Sequence, residues 1–195
     1  MTEKICEYKV LCIKVDLIDE KIYEKFLEKY SKISKRENII CVLEVRGGVN
    51  FNALKIGKIL MDHVGDVIAF VPKHALSGGT SIALACGSII LGNDAMLSPC
   101  DHQIYPGGRE EKELKKFKDR VYKKDKEYLE SVVHRHDLSK VVEKEIIRYF
   151  YKPDHETLLT YEMVKDIGLN VLQMRDLPSK LVKHFRKLER FLSLI

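Results

Sequence analysis

Between residues 8 and 100 the chain alternates short, almost wholly apolar runs with longer stretches in which apolar residues return every three or four positions. The apolar runs Tyr8–Val15, Ile39–Val45 and Asp66–Val71 read as strands, and the periodic stretches Ile18–Lys35, Phe51–Val64 and Gly78–Cys86 read as helices. Strand, helix and strand in succession predict βαβ units and hence a parallel sheet. Cys41–Val45 and Val67–Val71 have almost no polar member, the pattern of strands covered by helices on both faces. In the helix after Gly48, the residues Ala53, Ile56, Leu60 and Val64 form one stripe, and Gly65 stands where a C-cap would end it. Short strands at Ser88–Leu91 and Ala95–Ser98 follow.

Between Arg109 and Lys126 the composition shifts to dense mixed charge, with Leu114, Phe117, Val121, Tyr128 and Val132 at helical intervals. This predicts a long charged helix with one apolar seam, available to the body of the protein or to another subunit. A helix over Lys140–Tyr151 precedes Pro153, an extended piece spans Thr157–Leu159, and Gly168 closes a small helix over Tyr161–Ile167. A last strand over Asn170–Met174 leads to a terminal helix opened by Pro178 in its first turn. The division expected is a main domain over residues 1–175 and a C-terminal basic amphipathic helix over 176–195.

With 195 residues, 45% of them hydrophobic, the chain can bury one sizeable core. Its five cysteines, Cys6, Cys12, Cys41, Cys86 and Cys100, are odd in number, lack C-x-x-C spacing and sit mostly in apolar stretches, so they read as reduced core residues. No apolar run reaches the roughly 18 residues of a membrane span, and Met1-Thr2-Glu3-Lys4 does not open a signal peptide. A cytoplasmic protein is expected. Much of the net charge of +5 gathers in Lys180, Lys183, Arg186, Lys187 and Arg190, while Leu181, Phe185, Leu188 and Leu192 recur at helical spacing among them. Such a helix packs on its own body or a sister subunit with its lysines solvated; an acidic surface, a membrane or nucleic acid is the alternative. With no RNA-binding aromatic signature and no zinc-finger spacing, no nucleic-acid partner is expected. His63, His134, His136 and His184 form no metal-ligand set, and no metal or cofactor is expected.

The chemistry-bearing stretch is Leu76-Ser77-Gly78-Gly79-Thr80-Ser81, which sets a hydroxyl at the start of an apolar helix. First-turn N–H groups have no intrahelical acceptor and the helix dipole adds positive character there, so negative charge developing on a substrate oxygen is stabilised. Upstream, Arg46-Gly47-Gly48-Val49 follows an apolar strand and allows the backbone to approach a ligand closely. The plain alternatives are that Ser77 caps the helix and that Gly47-Gly48 is only a turn. His74 reads as packing or solvent-facing, and Tyr105-Pro106-Gly107-Gly108 as a turn into the charged helix.

In order along the chain, Val42-Leu43-Glu44-Val45-Arg46-Gly47-Gly48, then Ala69 to Ala85 with Ser77-Gly78-Gly79-Thr80, then Ala95 to Gln103 with Asp101-His102-Gln103, resemble the serine dehydrogenase proteinase family. That family is a branch of the Clp protease and crotonase superfamily, which also holds signal peptide peptidase A. The resemblance implies an α/β, Clp/crotonase-like fold with a parallel sheet of βαβ units, a protruding charged helix and a C-terminal helix. It also implies a cofactor-independent serine peptidase that cleaves a peptide or protein substrate through an acyl-enzyme and assembles as a homo-oligomer. Ser77 follows Gly48 by 29 residues and His102 follows Ser77 by 25, separations similar to those of the Clp proteolytic subunit. Carried over, Ser77 is the nucleophile, the Gly48 and Gly78 N–H groups form the oxyanion hole, and His102 is the general base.

In Clp-like chains an aspartate stands a dozen residues before the glycine that ends a small helix, so the resemblance implies Glu156, a dozen before Gly168, as the acid orienting His102, with Asp154 as the alternative and a cap on the next helix as the plain reading of either. The chain departs from the family at Arg46, where relatives carry proline, placing a cation on the substrate loop beside Gly47. It departs again at His102, where the closer group carries proline. Signal peptide peptidases pair serine with lysine, and Lys118 or Lys123 is the residue that would serve here. Two further readings stand beside the peptidase: a catalytically weak or inactive Clp-like binding or assembly subunit, and crotonase-like chemistry on a coenzyme A thioester. Extended substrate is expected to add along the strand edge near Gly47 and Gly48.

Overall fold

The computed structural model describes residues 8–48, 50–100, 110–151 and 157–192. Three strand-helix units open the chain: β1 (Lys9–Ile18) and α1 (Glu20–Tyr30), β2 (Ile39–Gly48) and α2 (Asn50–Met61), then β3 (Val67–Val71), β4 (His74–Ala75) and α3 (Gly78–Leu84). Next come β5 (Ser88–Leu91), β6 (Met96–Leu97), the 25-residue α4 (Glu111–Arg135) and α5 (Lys140–Ile146), which runs into a π-helical turn at Ile147–Tyr151. The described chain closes with α6 (Tyr161–Asp166), β7 (Val171–Gln173) and α7 (Ser179–Leu192). This is an α/β fold built on a curled parallel sheet of βα units, as the apolar strand runs predict.

The sheet runs β6-β4-β2-β3-β5-β7, with β1 also paired to β2. β2 organises it. Its first half, Ile39 to Val42, pairs with β3, its second half turns to β4 at Val45, and β1 lies along nearly its whole length, from Lys9 opposite Ile39 to Ile18 opposite Gly48. The split bends the sheet and brings β4, with the Ser77 corner that follows it, beside the Gly47-Gly48 end of β2. Helices cover both faces, which is why β3 is buried at every position. On one face, Ala53, Ile56 and Leu60 of α2 and Ile82 of α3 join the main core with Tyr128, Leu129 and Val132 of α4. On the other, Leu181 and Phe185 of α7 pack on Ile40, Val42, Ile68, Phe70 and Ile90. The terminal helix therefore spends its apolar stripe on its own sheet, with Lys180, Lys183, Arg186, Lys187 and Arg190 exposed. The side chain of Leu192 lies outside the described residues.

Several boundaries differ from the sequence pattern. Ile18 ends β1 instead of opening α1, because Asp19 caps the helix by accepting the Ile22 N–H at 2.8 Å. α2 stops at Met61, leaving Val64 68% exposed, so its stripe ends at Leu60. Gly65 is no C-cap: the Glu37 carbonyl occupies the place a Cβ would take. His63 and His136 lie just beyond helices. His63, 1% exposed, is held between the Tyr30 hydroxyl at 2.9 Å and the Glu37 carbonyl at 2.6 Å. Cys41, Cys86 and Cys100 are buried free thiols and Cys12 is half-buried, while Cys6 lies outside the described residues. Burial pushes the Cys86 thiol up to about 12, which makes it an inert core group. No helix among the described residues is long and apolar enough to cross a membrane.

Candidate active site

Ser77 occupies the corner between β4 and α3 with φ 51° and ψ −114°, a left-handed conformation that a serine adopts only when its surroundings impose it. The surroundings do so from three sides. The Leu76 N–H bonds the Val45 carbonyl at 2.8 Å, extending the β4 pairing to the residue before the corner. The Ser77 N–H bonds Ser98 Oγ at 2.8 Å, and the Ser77 carbonyl accepts the Ser81 N–H at 3.1 Å. Ser98 is 4% exposed and is itself fixed, since its Oγ donates to the Pro99 carbonyl at 3.0 Å. Its N–H donates to Thr80 Oγ1 at 3.2 Å, and Thr80 in turn donates to the Ala75 carbonyl at 2.6 Å. The end of β6 and the first turn of α3 thus hold the corner as one hydrogen-bonded unit.

The Ser77 side chain makes no capping hydrogen bond, and the residue is half-buried at the surface of the corner. The hydroxyl is therefore not spent on the helix end, unlike Asp19, Ser139 and Thr160, whose side chains accept the N–H three residues on. Gly78 follows as the first helical residue, where the backbone N–H has no acceptor within the helix.

The Gly47-Gly48 element meets this corner directly. A Cβ on Gly47 would lie 4.0 Å from Ser77 Cβ. Gly48 has φ +146°, and a Cβ there would fall on the backbone nitrogen of Ile18. A Cβ on Gly78 would stand 3.0 Å from Ala53 Cβ and 3.6 Å from Ile18 Cδ1, so β1, β2, α2 and α3 converge at the site. Glycine is required at position 48 by both its φ and this crowding. One edge of the Gly47-Gly48 segment is already occupied by β1, through Leu17 and Ile18. Arg46 is exposed and reaches across the surface to Asp16 at 3.5 Å.

His102, Glu156 and Asp154 lie outside the described residues, as does the turn at residues 105–108. The chain leading to them is nevertheless tied together. Leu97 and Leu159 form a reciprocal antiparallel bridge with N–H to O distances of 3.1 and 2.9 Å. Cys100, two residues before His102, donates its N–H to the Phe150 carbonyl at 2.8 Å. Segments entering the histidine and the carboxylate stretches therefore share one buried seam. The Tyr151 hydroxyl sits in that seam, its ionisation pushed far up by burial and then by its neighbours Cys100, Tyr128 and Asp125. Of the two lysines considered as a base, Lys123 is exposed on α4 with its ammonium 3.9 Å from Glu127, and Lys118 is half-buried on the same helix.

Two supporting groups carry little signal in the sequence. Ser98 carried no local signal, because its partner lies 21 residues away. The spacing of Tyr128 marks it as a seam residue, whereas its hydroxyl donates to the Ser81 carbonyl at 2.6 Å and fills the notch left by Gly57.

A family model described as ClpP-like SDH-type serine proteinase matches residues 13–133, which include β2, the Ser77 corner and most of α4. Two uncharacterized proteins of Methanocaldococcus jannaschii are similar in sequence. One is 36% identical over 85 residues, 43% of this chain and 30% of the relative. The other is 26% identical over 113 residues, 57% of this chain and 36% of the relative. The matches thus span about a third of the length of these curated relatives.

Proposed function

The chain belongs to the family of ClpP-like SDH-type serine proteinases, and on that premise we propose that it is a serine endopeptidase whose nucleophile is Ser77. Ser77 Oγ bonds to the carbonyl carbon of the scissile peptide while its proton passes to the imidazole of His102. The carbonyl oxygen takes the negative charge and is met by the N–H groups of Gly48 and Gly78. As the C–N bond breaks, His102 returns the proton to the leaving amine, and water then repeats the sequence to release the acid from the acyl-enzyme. Glu156 orients the imidazole through its other ring nitrogen. No cofactor takes part.

The observation that carries this reading is the Ser77 corner: a strained, half-exposed serine that caps nothing, is clamped through its own N–H, and is flanked by the glycines that end β2 and the glycine that opens α3. The Leu97–Leu159 and Cys100–Phe150 bonds support the pairing of His102 with Glu156, because they bring the two flanking segments together. Since β1 covers one edge of Gly47-Gly48, the scissile segment enters on the edge that faces Ser77. The half-buried seam of Leu114, Phe117 and Val121, next to Tyr122 at 58% exposure, supports self-association through α4.

Labelling with a fluorophosphonate tests the assignment. Wild type takes the label, Ser77→Ala does not while keeping its circular dichroism, and His102→Ala slows labelling strongly. A rate that tracks a group near pH 6.5 identifies a histidine base, and one that rises only at alkaline pH identifies a lysine. A folded protein that never labels or cleaves peptides is instead a binding or assembly subunit.

A further inference from the structure

β1 is ten residues long and pairs with β2 alone among the described strands. Along its outer side runs a groove of about 800 Å³, bounded by Lys9 to Val15 of the strand and overhung by α1. Its wall is apolar where Ile22, Phe26 and Ile33 face the strand, and Val10 is 44% exposed at its mouth. The Lys9 N–H is bonded to the Asn38 carbonyl at 2.8 Å on the β2 side. In a parallel ladder alternate residues bond the same neighbour, so Val10 and Cys12 direct their N–H and C=O groups away from β2, into the groove. A main-chain ladder, an apolar wall and open space are the elements by which a sheet edge accepts another strand.

The rim is basic. Lys9, Lys14, Lys25, Lys29 and Lys32 all line the groove. Lys9 and Lys32 are paired to Glu37 and Glu28, whereas Lys25 and Lys29 make no salt bridge among the described residues. A second copy of the chain added edge to edge would oppose lysine to lysine, which is unfavourable across a strand pair. The charge therefore selects an acidic occupant.

β1 leads from the groove toward the Ser77 corner. β1 continues from Val15 to Ile18, whose backbone abuts Gly48 and whose Cδ1 lies 3.6 Å from where a Gly78 Cβ would be. At about 3.3 Å per residue, the end of the groove is roughly 10 Å along the strand from Ile18, which borders the site across Gly48.

We propose that β1 and α1 form a docking groove for an extended, acidic segment of the protein substrate, held as an added strand while a neighbouring segment enters the Ser77 corner. This rests on the peptidase reading for the word substrate, but the binding itself does not require Ser77 to react. The test uses the Ser77→Ala protein and a fluorescent ten-residue peptide alternating Glu with Val, matched to the length of β1. The peptide binds saturably, more weakly as salt rises, and a Lys-Val peptide of the same length does not. The double variant Lys25→Glu/Lys29→Glu changes only exposed residues of α1 and weakens binding by on the order of tenfold or more. Val10→Pro removes one outward N–H without touching the β2 ladder, and weakens binding comparably.

Absence of saturable binding, or equal binding by wild type and both folded variants, overturns the groove whatever the labelling of Ser77 shows. A concentration-dependent dimer dissolved by Val10→Pro assigns the edge to a second copy and overturns it too. Acidic-peptide binding in a protein whose Ser77 never labels keeps the groove and removes the peptidase reading.

Discussion

The backbone N–H of Ser77 is bonded to the side-chain oxygen of Ser98 at 2.8 Å, so a residue at the end of β6 sets the direction of the corner that follows β4. Ser98→Ala leaves that N–H without its acceptor, at a cost of about 1–3 kcal/mol for a buried donor. Urea denaturation reads this as a lower midpoint with an unchanged slope. Fluorophosphonate labelling slows by roughly tenfold for each ~1.4 kcal/mol that the loosened corner adds to the barrier. Ser98→Thr retains the oxygen and restores most of the rate, which a purely structural loss would not separate from stability.

Ser77 has φ 51°, and glycine is the residue at home there. Ser77→Gly relieves strain worth about 1–3 kcal/mol and raises the melting temperature while abolishing labelling. Ser77→Ala keeps the strain and the melting temperature, so calorimetry on the pair isolates the contribution of backbone conformation.

Gly48→Ala meets the Ile18 backbone and a φ of +146° at once. It destabilises the protein by about 2–4 kcal/mol and removes activity. Gly47→Ala, whose Cβ would find neighbours only at 3.8 and 4.0 Å, keeps the fold. Comparing the two by denaturant midpoint separates crowding from a general need for glycine in this strand end.

His136 lies just past α4, its Nε2 2.9 Å from the Leu84 carbonyl. Burial, ahead of the opposing Leu84 bond and the nearby Arg135 charge, lowers its pKa from the ordinary 6.5. The unfolded chain therefore binds this proton more readily than the folded one. Stability falls as pH drops below about 6.5 and levels off once pH lies below the folded value. The denaturation midpoint measured from pH 7.5 to 5 should decline less in His136→Gln than in wild type.

The elements most legible in the sequence were those whose cause is local. The apolar run of β3 reads as a doubly covered strand, and the glycine-flanked serine stands out because it sets a hydroxyl at the start of an apolar helix. Other features answer to residues far along the chain. Gly65 resembles a helix stop until the Glu37 carbonyl is seen in the space it leaves open. Ser98 is one small polar residue among many until β6 is paired beside β4. Ile18 is apolar and fits either a strand end or a helix start, and the Asp19 cap decides between them. That Lys25 and Lys29 line one groove with β1 emerges only when α1 is laid beside the strand edge that pairs with no other described strand.

α4 is fully buried at Asp125, Tyr128, Leu129 and Val132, with Tyr128 seated in the Gly57 notch, while none of its first fourteen residues is fully buried. Those fourteen residues form a lever of roughly 20 Å along the surface. Load applied near Glu111 arrives as torque at Tyr128, whose hydroxyl is fastened to Ser81, one turn beyond Ser77. Whatever leans on that end of the helix therefore pulls on the turn that begins at Ser77.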